Sequence, residues 1–325
     1  MMAAASPFTA EALRIDPAAE VERIIGVMRT QLRSELRRRG LVLGVSGGID
    51  SSVCAALAVR AVGPDRVFCI MMPETDSDPE STELGRLLVA SLGCQSTVED
   101  IGPMLAAMGC YRRRDEAIRM LVPEFGEGWG CKVVIANVLE TDGFALSSLV
   151  VQAPDGRTQK LRMPADVYQA VTAATNMKQR TRKQIEYYHA DRLNHAVIGT
   201  PNRLEYDQGF FVKNGDGAAD LKPIAHLYKT QVYQLADYLG VPDAIRRRPP
   251  TTDTWSLPQS QEEFYFSLPY GPMDLCMYGL ENGIAADEVA PAAGISPDAV
   301  RRVWADIESK RKATRYLHLP PLLAN

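Results

Sequence analysis

The sequence predicts an α/β protein with a parallel β-sheet and helices on both faces. Three short apolar runs are typical of strands buried on both sides: 41–45, 67–72 and 196–199. Three segments with helical spacing alternate with these runs: 49–62, 80–92 and 165–193. Because strands that alternate with helices are joined by crossovers, this order favours a parallel sheet.

The first forty residues predict a helix that precedes the sheet. Asp16 is a helix N-cap, Pro17 suits the first turn, and apolar residues then recur at helical spacing until Gly40 ends the helix. We therefore expect an N-terminal helical segment at 1–40 and one domain at 41–325.

Two segments interrupt the alternation of strands and helices. The first, at about 111–164, predicts an insertion, because Pro154-Asp155-Gly156 is typical of a β-hairpin turn between two strand-like runs. The second is a loop at 201–223 that is rich in Gly and Asp. Long ordered loops often carry function, so we expect the second loop to contribute to a site.

The composition narrows the classes of function. The chain has 325 residues, 46% of them apolar, and a formal charge of -4, which provides no overall positive field for a nucleic acid or an anionic membrane. The start has no basic region typical of a signal peptide, and no apolar run is long enough to span a bilayer. We expect a cytoplasmic protein. The scattered cysteines and histidines predict neither a zinc site nor disulfides.

The segment Ser46–Ser52, SGGIDSS, lies between a predicted buried strand and a predicted helix. Glycines allow the backbone to approach a phosphate there, and the first N–H groups of the helix point at it. No Walker lysine follows the glycines. Because Asp50 would repel a phosphate, a bridging Mg²⁺ is the natural partner. The alternative is an ordinary glycine-rich turn between a strand and a helix.

This segment resembles the SGGxDS loop of the PP-loop ATP pyrophosphatases. The resemblance implies an adenine-nucleotide α-hydrolase-like (Rossmann-like) fold and cleavage of ATP between its α- and β-phosphates, which activates a carboxyl or carbonyl oxygen. The loop alone does not choose among the synthetases of NAD, GMP and argininosuccinate and the tRNA-thiolating enzymes.

Downstream segments resemble the NAD synthetases within that superfamily. The most specific are 199–205 and 209–223, and the segments 176–182 and 229–242 match as well. The resemblance covers roughly 41–101 and 165–320. It implies an ATP-dependent amide ligase, which adenylates the carboxylate of nicotinate adenine dinucleotide (deamido-NAD) and then displaces AMP with ammonia.

The resemblance also assigns residues. For ATP it implies Gly44, Ser46, Gly47, Gly48, Ile49, Asp50, Ser51, Ser52, Thr200, Lys229 and Thr251. For the acid dinucleotide it implies Asn176, Arg180, Phe210, Lys213, Asp220 and Lys310. Asp50 and Glu205 would hold Mg²⁺. The catalytic residues would be Asp50, Lys213, Asp216 and Lys229.

Some of these residues have structural alternatives. Asp216 would orient ammonia or accept its proton, or it would only cap the turn at Gly215 and Gly217. Phe210 would lie near the pyridine ring or anchor the loop in the core. Asn176 and Arg180 share a helix face, which is often simply exposed.

Two further expectations concern partners. About forty residues precede the loop, too few for the glutaminase domain of glutamine-dependent relatives, so the nitrogen would come from free ammonia or a separate glutaminase. The family analogy also implies a homodimer.

The chain departs from the family pattern at several positions. Ser309 stands for a usual His, Val212 for a common Thr and Thr172 for an aromatic residue, while the QTDE motif is replaced by 259–262, QSQE. These departures leave open a relative that acts on another carboxylic acid. Three other classes are less favoured: a tRNA-thiolating enzyme, a non-catalytic nucleotide-binding protein, and a DNA-binding helix-turn-helix protein around 290–302.

Overall fold

The computed structural model describes residues 7–135, 147–250, 254–261, 265–266 and 268–324. Its strands are β1 (Leu41–Gly44), β2 (Val67–Met71), β3 (Gln95–Val98), β4 (Gly130–Ile135), β5 (Ser147–Gln152), β6 (Thr158–Arg162) and β7 (Ala196–Val197).

The helices before residue 200 are α1 (Pro17–Thr30), α2 (Ile49–Val62), α3 (Pro79–Leu92), α4 (Gly102–Ala107), α5 (Cys110–Arg119) and α6 (Ala165–Leu193). The later helices are α7 (Arg203–Gln208), α8 (Lys229–Tyr238), α9 (Asp243–Arg247), α10 (Tyr270–Glu281), α11 (Ala286–Ala293) and α12 (Pro297–His318). Short 3-10 helices occur at Ala10–Leu13 and Pro64–Arg66, and a π-helical segment, Gln31–Leu36, continues α1.

A four-stranded parallel sheet in the order β3-β2-β1-β7 forms the centre of the fold. Successive residues of β1 alternate between two cores: Leu41 and Leu43 pack with α1, α2 and α8, whereas Val42 packs with residues of α4 and α6. Each fully buried aliphatic side chain of this kind contributes about 1.5–3 kcal/mol. The predicted parallel sheet with helices on both faces is therefore confirmed.

The N-terminal helix begins where the sequence predicts. Asp16 accepts hydrogen bonds from the N–H groups of Ala18 and Ala19, at 3.0 and 3.1 Å. The end differs from the prediction, because the helical turns stop at Leu36 and Arg37 takes a left-handed conformation with φ 51°. Gly40 has another role: a Cβ there would lie 2.3 Å from the carbonyl oxygen of Arg66, so the chain needs glycine for a close approach.

Strands β4, β5 and β6 form a separate antiparallel sheet, and the predicted hairpin between β5 and β6 is confirmed. This sheet packs with α5 and α6 in its own apolar core. The segment 254–261 lies beside β4, where the Cys131 N–H donates to Ser256 Oγ at 2.9 Å and the Leu257 N–H donates to the Cys131 carbonyl at 3.3 Å. The antiparallel sheet thereby holds 254–261 in place.

The loop expected at 201–223 is wrong in part, because it contains helix α7. Asn202 and Glu205 form a capping box, in which the Asn202 side chain accepts the Glu205 N–H and the Glu205 carboxylate accepts the Asn202 N–H. The spacing Asn-x-x-Glu is the usual signature of such a start. This spacing is present in the sequence and could have identified the start of α7.

Helices α11 and α12 are joined at Gly294, which has a φ of 69°. They therefore have the helix–turn–helix connectivity that the alternative of a DNA-binding protein requires. Pro291 lies inside α11. Helix α12 is 22 residues long and buries Val300, Val303 and Ile307 against the neighbouring helices. Within the part of the chain that the structure describes, no helix is long and apolar enough to cross a membrane.

Candidate active site

A cavity of about 1410 Å³ opens at the carboxyl ends of β1 and β2. This edge of a parallel sheet is where ligands usually bind, because the loops that follow the strands converge there. Its polar lining includes residues of the SGGIDSS loop, the face of α6 that begins at Tyr168, the segment 209–216, the first residue of α8 and helix α12. The structure thus gathers on one cavity residues that are far apart in the sequence.

The SGGIDSS loop turns sharply at Gly47, whose φ is 70°. A Cβ at this position would lie 2.6 Å from the Ser81 carbonyl oxygen, so glycine is required both by conformation and by space. Gly48 is the N-cap of α2, and no side chain among the described residues caps that helix. The first N–H groups of α2 are therefore suited to bind an anion in the cavity.

The serine hydroxyls of this loop divide into two groups. Ser46 and Ser51 line the cavity, with their Oγ atoms 3.3 Å apart. Ser52 is fully buried, and its hydroxyl donates to the Gly48 carbonyl at 2.8 Å. Ser46 and Ser51 can reach a ligand, whereas Ser52 and Gly47 shape the loop and do not line the cavity.

Asp50 and Lys229 form an ion pair at the base of the cavity. Lys229 is 0% exposed, and Asp50 also accepts a hydrogen bond from the Asn202 side-chain amide at 3.2 Å. Burial opposes the charge on Lys229, but the carboxylates of Asp50 and Glu205 outweigh that effect and raise its pKa. The two carboxylates therefore favour the charged form of this lysine.

Glu205 lies beside this pair and is also buried. Burial, reinforced by the negative charge of Asp50, raises the pKa of Glu205 to about 8. One carboxylate oxygen accepts the Asn202 N–H at 3.2 Å, and the other accepts the Gln261 side-chain amide at 3.2 Å. The site therefore contains two neighbouring carboxylates, one of which has a raised pKa. A further positive charge would stabilise their ionised forms.

Helix α6 provides a polar face with members at Asn176, Arg180 and Lys183. The Arg180 Nε atom donates to the Lys213 carbonyl at 3.2 Å, which ties the helix to the loop 209–217. Lys183 forms a buried ion pair with Glu186, with 2.6 Å between Nζ and Oε2. Both members of the pair line the cavity. Neither residue was predicted from the sequence, although both continue the helical spacing of Asn176 and Arg180.

The loop 209–217 places Phe210 and Asp216 on the cavity wall. The ring of Phe210 stacks on Tyr265 with 4.6 Å between ring centroids, so it contacts both the core and the cavity. Asp216 accepts the Val212 N–H at 2.8 Å and so closes the loop. Burial raises the pKa of Asp216.

Two predicted substrate lysines contact the C-terminal part of the chain. The Lys213 Nζ atom donates to the carbonyls of Tyr316 and Leu319, at 2.7 and 3.1 Å. The Lys310 Nζ atom donates to the Tyr265 carbonyl at 2.5 Å and lies 2.6 Å from Asp306 Oδ2. Both lysines line the cavity.

Some of the remaining predicted site residues line the cavity and others do not. Gly44, Ile49 and Thr200 line the cavity. Asp220 does not, and its carboxylate accepts the Val197 N–H at 2.7 Å and the Tyr187 hydroxyl at 3.3 Å. Thr251 lies outside the residues that the structure describes.

Asp274 is a buried residue that sequence reasoning missed. Its two carboxylate oxygens accept the N–H groups of Lys229 and Thr230, at 3.3 and 2.7 Å, and so hold the start of α8. Burial raises the pKa of Asp274 to about 6. No local pattern marks this residue, because its partners lie on a different helix.

The fold and the site together define a PP-loop protein: a parallel sheet whose central strand β1 ends in the SGGIDSS loop, opposite a buried lysine and two carboxylates. The model of the family described as NAD synthase matches residues 20–122 and 152–316. The chain belongs to the NAD synthase family.

Individual relatives support this assignment. The chain is 70% identical over 316 residues to the NH(3)-dependent NAD(+) synthetase of Rhizobium meliloti (strain 1021), covering 97% of this chain and 94% of the relative. It is 58% identical over 312 residues to the protein of that name from Mesorhizobium japonicum, covering 96% and 98%.

Two solved structures share the fold. NMN synthetase from Francisella tularensis has a TM-score of 0.65 at 21% identity, covering 96% of this chain and 100% of that chain. NH3-dependent NAD synthetase from Campylobacter jejuni has a TM-score of 0.62 at 20% identity, with the same coverage.

Proposed function

We propose that the protein is an ammonia-dependent NAD synthetase, which converts deamido-NAD, ATP and ammonia to NAD, AMP and pyrophosphate. The observation that carries this proposal is the convergence of the SGGIDSS loop, the Asp50–Lys229 pair and the polar face of α6 on one cavity. The family membership and the 70% identity to a named NH(3)-dependent NAD(+) synthetase support the same substrates.

In the first half-reaction a carboxylate oxygen of deamido-NAD attacks the α-phosphorus of ATP. The bond from this phosphorus to the bridging oxygen breaks, and pyrophosphate leaves with the electron pair. The first N–H groups of α2, with Ser46 and Ser51, would hold the departing phosphates. Lys229 would neutralise their charge, and the buried position of Lys229 strengthens that interaction.

Asp50 and Glu205 suit a Mg²⁺ ion that accompanies ATP. Mg²⁺ is usually held by one or two carboxylates together with phosphate oxygens and water. This donor set fits, because the Asp50 and Glu205 carboxylates both line the cavity in which the phosphates of ATP would lie. Bound there, the ion would withdraw charge from the phosphates during the transfer.

In the second half-reaction ammonia attacks the acyl carbon of the adenylate, AMP leaves, and the nitrogen loses a proton. Asp216 is the proposed group for ammonia, because its carboxylate lines the cavity and burial raises its pKa, which brings it closer to the range of a useful proton acceptor. We further propose that free ammonia or a separate glutaminase supplies the nitrogen, and that the enzyme works as a homodimer.

The direct test is a product analysis with ATP, Mg²⁺, ammonium and deamido-NAD. We expect AMP, pyrophosphate and NAD in equal amounts, with no ATP cleavage when deamido-NAD or Mg²⁺ is omitted. Formation of ADP and phosphate would contradict the PP-loop assignment, because that chemistry cleaves at the other phosphate.

A second candidate is a ligase of the same mechanism that acts on another carboxylic acid. The specific observation in its favour is that Thr172, Val212 and Ser309, three of the departures from the family pattern, all line the same cavity. The product analysis distinguishes the two: AMP release with a different acid, and no NAD from deamido-NAD at saturating ammonium, would establish the second candidate.

Arg180→Ala is expected to raise the KM for deamido-NAD about tenfold or more at unchanged KM for ATP. Arg180 is exposed in the cavity, and a charge-assisted contact to a bound anion is worth roughly 1.5–3 kcal/mol. Steady-state kinetics with each substrate varied in turn measures the effect. Arg192→Ala, on the same helix outside the cavity, is the control. Equal changes in both KM values would contradict a role for Arg180 in binding the acid.

A further inference from the structure

Six residues form a closed ring of contacts that includes the two carboxylates of the site, and the link from Asn202 to Glu205 is made by the Asn202 backbone N–H. In order around the ring they are Asp50, Asn202, Glu205, Gln261, Tyr270 and Lys229. Asp50, Glu205 and Lys229 have proposed roles above. Gln261 and Tyr270 have none, and they close the ring on the side opposite Asn202.

The orientation of the Gln261 side chain is determined by its two neighbours. The Tyr270 hydroxyl donates to Gln261 Oε1, and Gln261 Nε2 donates to Glu205 Oε1 at 3.2 Å. In the flipped orientation, Oε1 would face the Glu205 carboxylate, which only accepts hydrogen bonds when ionised. When Glu205 is ionised, as it must be to hold a cation, the amide is therefore held with its donor toward Glu205.

Both oxygens of Glu205 are thus restrained by N–H donors, Oε1 by Gln261 and Oε2 by the Asn202 backbone. An ionised carboxylate has about four lone-pair sites, so each oxygen keeps one site for a cation. A ligand that is held in this way loses less conformational freedom when a cation binds.

Tyr270 also contacts Lys229, its other neighbour in the ring of contacts. The centroid of its aromatic ring lies 5.0 Å from the Lys229 Nζ atom, a distance at which an aromatic ring stabilises an ammonium group. Tyr270 is the first residue of α10, and Asp274 on the same helix holds the start of α8. One helix therefore supports both the lysine and, through Gln261, the carboxylate of Glu205.

We propose that Gln261 and Tyr270 are positioning residues that hold Glu205 for the metal–nucleotide complex, with Tyr270 acting through Gln261. This inference rests on the proposed function, because it concerns the same ATP site. The segment 254–261, which the antiparallel sheet holds beside β4, would then serve to present Gln261 to Glu205.

The test measures binding, not turnover. The probe is α,β-methylene-ATP, which cannot be cleaved at the reactive bond, titrated calorimetrically into the full-length protein with Mn²⁺ and again with EDTA. The ratio of the two affinities reports the contribution of the metal.

Three variants are compared with the wild type: Tyr270→Phe, Gln261→Leu and the double variant. Tyr270→Phe keeps the aromatic ring beside Lys229 and removes only the hydroxyl. The control is Tyr111→Phe, which also removes a tyrosine hydroxyl that donates to a side-chain oxygen, here of Glu74 at 2.8 Å, outside this cavity.

We expect each single variant to lose about tenfold in the metal-dependent affinity, since partners that orient metal ligands typically contribute 10–100-fold. The affinity with EDTA should stay within about twofold of the wild type, and the control should bind normally. The double variant should lose no more than Gln261→Leu alone, because the two residues act in series.

Three results would overturn the inference. Normal metal-dependent affinity in Tyr270→Phe and Gln261→Leu shows that neither residue positions Glu205. Losses that add in the double variant show that Tyr270 does not act through Gln261. A loss of the same size with EDTA shows a general effect on the pocket. In all three cases the wild type still binds the Mn²⁺ complex; if it does not, the metal assignment in the proposed function fails together with the inference.

Discussion

Asp50→Asn is expected to lower the rate of AMP and pyrophosphate formation by 10²-fold or more, with the chain still folded. The substitution removes one of the two carboxylates proposed to hold Mg²⁺ and also the partner of the buried Lys229. Loss of a metal ligand removes several kcal/mol of transition-state stabilisation. The measurement is initial-rate release of pyrophosphate at saturating ATP and deamido-NAD.

The folded state of this variant needs its own measurement, because a buried lysine that loses its partner destabilises a protein. Glu205 remains near Lys229 and limits that cost. A urea unfolding curve separates loss of fold from loss of chemistry. Asp207→Asn is the matched control, since Asp207 lies on α7 outside the cavity and pairs with Arg311 at 2.7 Å. Near-normal turnover of Asp50→Asn would show that Asp50 does not hold the metal.

Asp216→Asn is expected to separate the two halves of the reaction. If Asp216 acts on ammonia and not on ATP, the variant still forms the acyl-adenylate, while amide formation falls by about 10²-fold or more, the usual contribution of a positioned acid–base group. Exchange of labelled pyrophosphate into ATP, dependent on deamido-NAD, reports the first half-reaction. Production of NAD reports the second.

The contacts of Asp216 allow Asp216→Asn to remove the carboxylate without removing the hydrogen bond that closes the loop. Asp216 closes the loop 209–217 by accepting the Val212 N–H, and the side-chain oxygen of asparagine can accept the same bond. The loop should therefore keep its shape. Equal loss of exchange and of amide formation would mean that Asp216 only holds the loop, which is the structural alternative that its position also allows.

Several parts of the fold followed from local patterns. The strands β1 and β2, the bounds of α6 and the hairpin between β5 and β6 agree with the sequence predictions to within a residue or two. Each depends on the spacing of apolar residues or on turn residues that are close together in the chain. The loop SGGIDSS was identified for the same reason, because its chemistry depends on adjacent glycines and the following helix.

Other parts depended on contacts between distant segments. The sequence predicted Lys229 as an ATP residue, but not that it would pair with Asp50, which lies 179 positions earlier. Gln261 was noted only as a departure from a family motif, and Asp274 was not noted at all. The roles of these two residues depend on how α10 packs against α8 and α7, and no pattern within a single segment records that packing.

By itself, the sequence determined the class of sheet, the anion-binding loop and the family, because each depends on residues within one short segment or on a match to such segments. The tertiary structure decided which charged groups share a cavity. It placed Thr172, Val212 and Ser309 on the same cavity and left Asp220 outside it. It also closed the ring from Asp50 through Gln261 to Lys229. The physical reason is that charge and hydrogen-bond geometry act through space, over a few ångströms, whatever the separation along the chain.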